Sequence, residues 1–255
     1  MSVLRISTCQ ARNTFPLMEK LAPYLTQRLR ESVSFENSIS WLDRYRFLER
    51  GELDVGWICA KPYALDLKEP VRRYSGLVIP VMKGDLYAGQ PVYYSYLATH
   101  RAHPATSIHD LKGGRVAYNE EGSQSGYFSL LDALDRINQP PEYFGQWLRS
   151  GAHFQSIYLL KAHIADVAAI DATVWDYEVE KDPTCFDDLK ILGTLGPYPG
   201  PPLAANFHLP INLQQGLIRV LSEMHLDPEG REILDESLID CFVPCEDDLY
   251  LSLVP

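Results

Sequence analysis

No apolar run in the 255 residues approaches the roughly 18 that a membrane-spanning helix needs. Basic residues are scarce: 23 Lys and Arg stand against 34 Asp and Glu, a formal charge of −11. This balance argues against nucleic acid and against anionic membrane surfaces as partners. The opening "MSVLRISTCQ" has no basic stretch followed by an apolar one, so as written it reads as lacking an export signal. Cysteine is sparse. Cys9, Cys59, Cys185, Cys241 and Cys245 are odd in number and have no framework spacing, which fits a reducing compartment. Cys241 and Cys245 in "CFVPC" have three residues between them and no second pair, which is not a zinc pattern. There is no P-loop, dinucleotide fingerprint or H-E-x-x-H. Short-period repeats and low-complexity tracts are missing too. No metal and no cofactor are expected.

What is present reads as an α/β chain with enough apolar content, 46%, for a sizeable core. "VLRIST" is strand-like. "TFPLMEKLAPYLTQRLR" places Leu17, Leu21, Leu25 and Leu29 on one helical stripe. "ESVSFEN" reads as a second strand. "SISWLDRYRFLERGELD" reads as a helix capped by Ser38 or Ser40 and ended by Gly51. "VGWICAKPY" reads as a strand running into a Pro-containing loop. The order β-α-β-α-β implies a parallel sheet with helices on both faces, and ligands in such sheets sit beyond the carboxyl ends of the strands. That puts Thr8, Cys9, Ser38, Ser40, Trp57 and Tyr63 near one edge. "SGLVIPVMK" and "PVYYSYLATH" are two more strands. A second β-α series follows, with a loop carrying His153, a helix through Ile157, Leu160 and Ile164, and a strand "DVAAID". The chain closes with two helices bearing Leu217, Val220, Leu221 and Met224. Two extended crossings, near 91–96 and 195–203, predict two lobes with a cleft between them: 1–93 with 198–255, and 94–197.

One loop stands out. "NEEGSQSGYF" lies between the apolar run "GRVAY" and a helical pattern with Phe128, Leu131, Leu134 and Ile137. It is a strand-to-helix turn with Ser123 or Ser125 placed as N-cap. The first turn of a helix has unpaired N–H groups and the positive end of the dipole. Gly122 and Gly126 let the backbone approach a bound group, and Ser123, Gln124 and Ser125 add donors. Together they make an anion seat for phosphate, phosphonate or carboxylate. The plainer alternative is a well-capped helix without a ligand.

Taken in order, "LRIST", "LAPYLTQRL", "GELDVGWICAKPY", "YYSYLATH", "DLKGGRVAYNEEGSQSGYFSLL", "YFGQWLRSGAHFQSI", "ADVAAIDATVW", "GPYPGPPL" and "LDPEGREIL" carry a resemblance over residues 4 to 235. The chain resembles the phosphate/phosphonate-binding (PhnD-like) family of ABC-transporter substrate-binding proteins. The resemblance implies a type II periplasmic-binding fold that closes like a Venus flytrap on a small oxyanion. It implies that Ser123, Gln124, Ser125 and Gly126 hold the anion, with His153 and Asp171 beside them. Ser38, Ser40, Tyr63 and Tyr93 or Tyr94 are the corresponding aromatic and hydroxyl positions. It implies a periplasmic site of action and an ABC permease as partner, against which the missing leader makes the cytoplasm the alternative.

Physical roles fit these residues. Hydroxyls and N–H groups donate to anion oxygens, and a protonated His153 would add a charge-assisted donor. A carboxylate at Asp171 is tolerable only if it accepts a proton from a P–OH or meets a ligand cation. Each has a structural alternative: a packing role for His153, a helix N-cap for Asp171, and core aromatics for Trp57, Tyr63 and Trp175. "GPYPGPPL" lacks the second acid that aminoalkylphosphonate binders use. The leading function is capture of a phosphorus oxyanion without chemistry. The alternatives are a cytosolic sensor or interaction module, or an enzyme built on Ser125, His153 and Asp171. Gln124 occupies the place where a nucleophile elbow needs its serine, so no catalytic residue is assigned.

Overall fold

In the computed structural model, which describes residues 3–254, the chain divides into two compact units. One runs to Val92 and resumes at Pro199; the other is Tyr93–Tyr198. Strands and helices are numbered in chain order: β1 Leu4–Thr8, α1 Phe15–Leu29, β2 Val33–Phe35, α2 Trp41–Glu49, β3 Val55–Trp57, α3 Ala60–Asp66, β4 Tyr74–Met82 and β5 Val92–His100. There follow β6 Arg115–Tyr118, α4 Ser129–Arg136, β7 Gln146–Arg149, α5 His153–Lys161, β8 Val167–Asp171, α6 Ala172–Lys181 and β9 Leu189–Pro199. The last are β10 Leu203–Asn206, α7 Ile211–Ser222, α8 Pro228–Asp235 and β11 Ile239–Pro244.

The first unit holds a six-stranded sheet in the order β11-β4-β10-β3-β1-β2. β1 pairs in parallel with β2 and β3, as the β-α-β-α-β pattern demands, with Thr8 opposite Trp57. The far half is antiparallel: β10 against β3 and β4, and β11 against β4. α1 buries Leu17, Leu21 and Leu25 as its stripe predicts. Its internal Pro23 faces solvent, where water can satisfy the carbonyl that loses its partner. In α7 and just beyond it, Leu217, Val220, Leu221 and Met224 are all buried.

Three sequence expectations need correction. The Pro-containing stretch after β3 is helix α3, because Pro62 sits in a first turn, where a missing N–H costs nothing. His153 is the first residue of α5 and not a loop residue, and Ile164 lies beyond that helix, exposed. The sheet is mixed and not wholly parallel.

The second unit holds a five-stranded sheet, β7-β6-β8-β5-β9. β6 pairs in parallel with β7 and β8, and β5 antiparallel with β8, setting Ser95 opposite Asp171. One face packs Leu97, Val116, Leu130, Leu134 and Phe144. The other packs Ile157, Leu160, Ile170 and Trp175. The sheet is therefore buried on both faces, and the ends of β6 and β8 meet at one edge.

Candidate functional site

β6 ends at Tyr118, and the chain turns through 119–123 into a π-turn, Gln124–Phe128, that leads into α4. The Ser123 carbonyl accepts from both Tyr127 N (3.1 Å) and Phe128 N (3.0 Å), which widens this first turn. Ser123 is the N-cap: its Oγ accepts from Gly126 N at 3.0 Å. The preceding donors, the backbone N–H groups of Gln124 and Ser125, meet no acceptor among the described residues. These are the orphan donors of a helix start, and here they belong to buried residues.

Gly126 is required by its neighbour and not by a ligand. A Cβ there would overlap the Asn119 side chain. Gly122 faces open space. The Ser125 carbonyl is pinned by two buried hydroxyls, Ser95 Oγ at 2.8 Å and Ser129 Oγ at 2.6 Å. Gln124 is 1% exposed, and its carboxamide makes no hydrogen bond to another described residue.

His153 stands against this turn. Its Nε2 is 3.1 Å from Ser125 Oγ and 3.4 Å from Asn119 Nδ2. Asn119 Oδ1 accepts from Glu120 N at 3.0 Å, which turns the amide nitrogen toward the ring. Nδ1 lies 3.4 Å from the Asp171 N–H, and the Ala169 carbonyl also bonds the ring. Burial pushes the His153 pKa down, against the pull of the Asp171 charge and the Ala169 carbonyl. The ring is therefore neutral at pH 7, and it offers an oriented hydrogen bond and not the cationic donor envisaged from sequence.

Each neutral tautomer leaves one neighbouring donor unmet: the Asn119 amide when the proton is on Nε2, and the Asp171 N–H when it is on Nδ1. With the proton on Nε2, the ring donates to Ser125 Oγ and leaves the serine O–H to donate to an anion. With the proton on Nδ1, Ser125 donates to Nε2. Ser125 can then accept a proton from a ligand P–OH.

Asp171 closes β8 and caps α6. Its Oδ1 accepts from Thr173 N at 2.9 Å and Thr173 Oγ1 at 2.7 Å, so the N-cap role is real. The carboxylate is also close enough to act on His153. Glu120, in the same turn as Asn119, is pushed up to about 7 by burial. Arg149 opposes that shift and Glu121 adds to it. The structure thus brings Ser123, Gln124, Ser125, Gly126, His153 and Asp171 to one edge of one sheet.

The remaining sequence candidates fare differently. Tyr93, at the start of β5, is buried with its ring edge-on to Tyr198, and Tyr94 beside it is half-buried. In the first unit Ser38 is exposed. Ser40 holds the N-cap position of α2, but its hydroxyl bonds the Asp43 carboxylate at 2.6 Å. Tyr63 packs as a core aromatic. Its side chain is wholly buried, donates to Asp247, and accepts from Gly76 N (3.0 Å) and Arg72 Nη2 (3.3 Å), which leaves its hydroxyl fully engaged. Trp57 and Trp175 are core aromatics, the first donating to Pro201 O at 2.9 Å and the second stacked on Phe186. The sequence reading missed the supporting groups Asn119, Ser95, Ser129 and Thr173. Of these only Asn119 carried a signal, as the residue opening the glycine-flanked loop.

The family model described as "ABC transporter, phosphonate, periplasmic substrate-binding protein" matches residues 6–250. Among solved structures, PhnD1 from Prochlorococcus marinus in complex with methylphosphonate superposes with a TM-score of 0.82 at 18% identity, covering 98% of this chain and 95% of that one. A binding-protein component of an ABC phosphonate transporter from Pseudomonas aeruginosa gives 0.84 at 16% identity, covering 98% and 84%. A Xanthomonas citri protein solved bound to ATP gives 0.75 at 19% identity, covering 99% and 96%. At these identities the structures speak for the fold, the type II periplasmic-binding architecture, while the family follows from the match across nearly the whole sequence. The chain belongs to the phosphonate-binding family of ABC-transporter periplasmic substrate-binding proteins.

Proposed function

We propose that the phosphorus oxyanion is held at the end of β6, on the N–H groups of Gln124 and Ser125 and the hydroxyls of Ser123 and Ser125. The observation that carries this reading is the pair of N–H groups, on buried residues at a helix start, that meet no acceptor among the described residues. Leaving such donors unmet is costly, and an anion meets them with charge-assisted bonds. The binding of methylphosphonate by the Prochlorococcus relative supports a small phosphonate or phosphate as ligand.

His153 and Asp171 read the ligand's proton. A dianion accepts a hydrogen bond from Ser125 while His153 donates to Oγ. A hydrogen phosphonate instead donates its P–OH hydrogen bond to Ser125 Oγ or to the remaining lone pairs of Asp171. The Gln124 carboxamide adds a donor pair and an acceptor at the same turn.

The site binds and does not turn over. A Ser-His-Asp arrangement needs a carboxylate on Nδ1, but Nδ1 faces backbone groups and Asp171 is held by Thr173. As in the family, the periplasm is the proposed compartment and a membrane permease the proposed partner.

Isothermal titration with phosphate, phosphite, methylphosphonate, 2-aminoethylphosphonate, sulfate and ATP tests the ligand class. At least one phosphorus oxyanion is expected to bind at micromolar or tighter Kd. Binding of sulfate alone, or of ATP with none of the small phosphorus oxyanions, would overturn the reading.

A further inference from the structure

Among the described residues, Arg44 is the only lysine or arginine that is buried, at 5% exposure. It rises from α2 toward the carboxyl end of β1. Its guanidinium donates to three backbone carbonyls: Thr8, the last residue of β1, Ile39 at 3.0 Å and Asn37 at 3.2 Å. The cation also lies 5.2 Å from the centre of the Phe15 ring. Other arginines of this unit that are partly covered meet carboxylates: Arg28 meets Asp227, Arg72 and Arg73 meet Asp66, and Arg231 meets Asp235. Arg44 meets none among the described residues. The ionisable group acting on it is the Cys9 thiol, and burial lowers its pKa.

A buried cation without an anion is costly. Three carbonyl dipoles offset part of that cost but leave the charge. A guanidinium has five N–H donors, three are engaged, and two remain. The place matters as well. β1 and β3 run in parallel and end here, at the sheet edge where α/β folds seat ligands. Hydroxyls gather at the same edge: Thr8 Oγ1 lies 3.0 Å from Thr14 Oγ1.

We propose that Arg44 is the positive charge of an oxyanion subsite in the first unit, its two free N–H groups taking oxygens of phosphate or a phosphonate. This rests on the reading that the chain binds such an anion. In the first unit it supplies a charged contact, where the seat after β6 offers neutral donors. The Arg44 fork suits a tetrahedral oxyanion better than a spherical halide.

The test is isothermal titration of phosphate and methylphosphonate into wild type, R44M, R44K and S125A, with a melting curve for each ligand-free protein. R44M is expected to lose at least tenfold in affinity and R44K to recover part of it, since lysine restores charge without the fork. In wild type, the Arg44 Nε–H resonance, assigned by its loss in R44K, is expected to shift with phosphate and saturate with the calorimetric Kd. R44M within threefold of wild type would overturn the proposal, as would an Arg44 resonance unmoved at saturation; Arg44 would then only tie residues 37–39 to β1. The resonance decides the matter if R44M does not fold. If wild type binds neither anion, the seat at β6 fails first. If S125A loses binding and R44M keeps it, only the Arg44 subsite fails.

Discussion

At the scale of single residues the account turns on hydrogen-bond donors and proton positions. Ser125→Ala removes a hydroxyl tied to His153 and leaves a buried anion oxygen one donor short. Titration calorimetry is expected to show phosphate or methylphosphonate affinity falling by about 1–3 kcal/mol. Glu120 makes a prediction of opposite sense from His153. Its folded pKa, about 7, lies above the unfolded value, so the folded state holds a proton that the unfolded state has released. Stability is therefore lost as pH rises from about 4.5 toward 7 and is level above it. Glu120→Gln should raise the melting temperature at pH 8 and leave it unchanged near pH 4.5. For His153 the folded pKa is depressed, so stability falls as pH drops below about 6.5, the unfolded value. His153→Gln should flatten that acid-side loss in a pH series of melting curves.

At the scale of elements the anion seat depends on how a strand hands over to a helix. The handover was legible in sequence because two glycines, two serines and a helical stripe stand side by side between Tyr118 and Ile137. What could not be read was the widened first turn. It follows from the Ser123 carbonyl taking two donors and from the Ser95 and Ser129 hydroxyls on the Ser125 carbonyl. Of these contacts the Ser95 bond comes from a distant strand, and no local pattern encodes it. The same limit hid β7, whose "QWLR" has polar ends, and β11, whose "IDCFVP" ends in proline. β10, "LAAN", has no β-branched or aromatic residue and is a strand by burial between β3 and β4, not by propensity.

The partner of Tyr63 was hidden for a related reason: Asp247 lies 184 residues away in sequence. Three substitutions test this level. Gly126→Ala should displace Asn119 and with it the His153 contact, costing about 1–3 kcal/mol of stability as an overpacked site. A chemical denaturation midpoint measures that loss. Asp171→Asn keeps an acceptor for Thr173 and should leave stability nearly unchanged, while Asp171→Ala should cost about 1 kcal/mol through the lost cap of α6. Equal melting temperatures for the two variants would contradict the capping role.

At the scale of the whole molecule, a chain of formal charge −11 takes up an anion. Distant carboxylates repel the ligand on approach, whereas aligned N–H groups act at contact distance. Raising inert salt from about 10 to 150 mM should therefore quicken association, because the Debye length shrinks over that range. Stopped-flow fluorescence reads this directly, and a slower on-rate would show local attraction dominating at long range. Family membership and fold follow from the entire sequence, but the ligand is decided by a few side chains.

The most direct measurement is thus titration calorimetry of methylphosphonate and phosphate into wild type and Ser125→Ala under identical conditions. Tight wild-type binding of a phosphorus oxyanion, weakened about 5- to 150-fold in the variant, is the predicted result. Equal affinity in both proteins would contradict the assignment of the seat to the turn after β6.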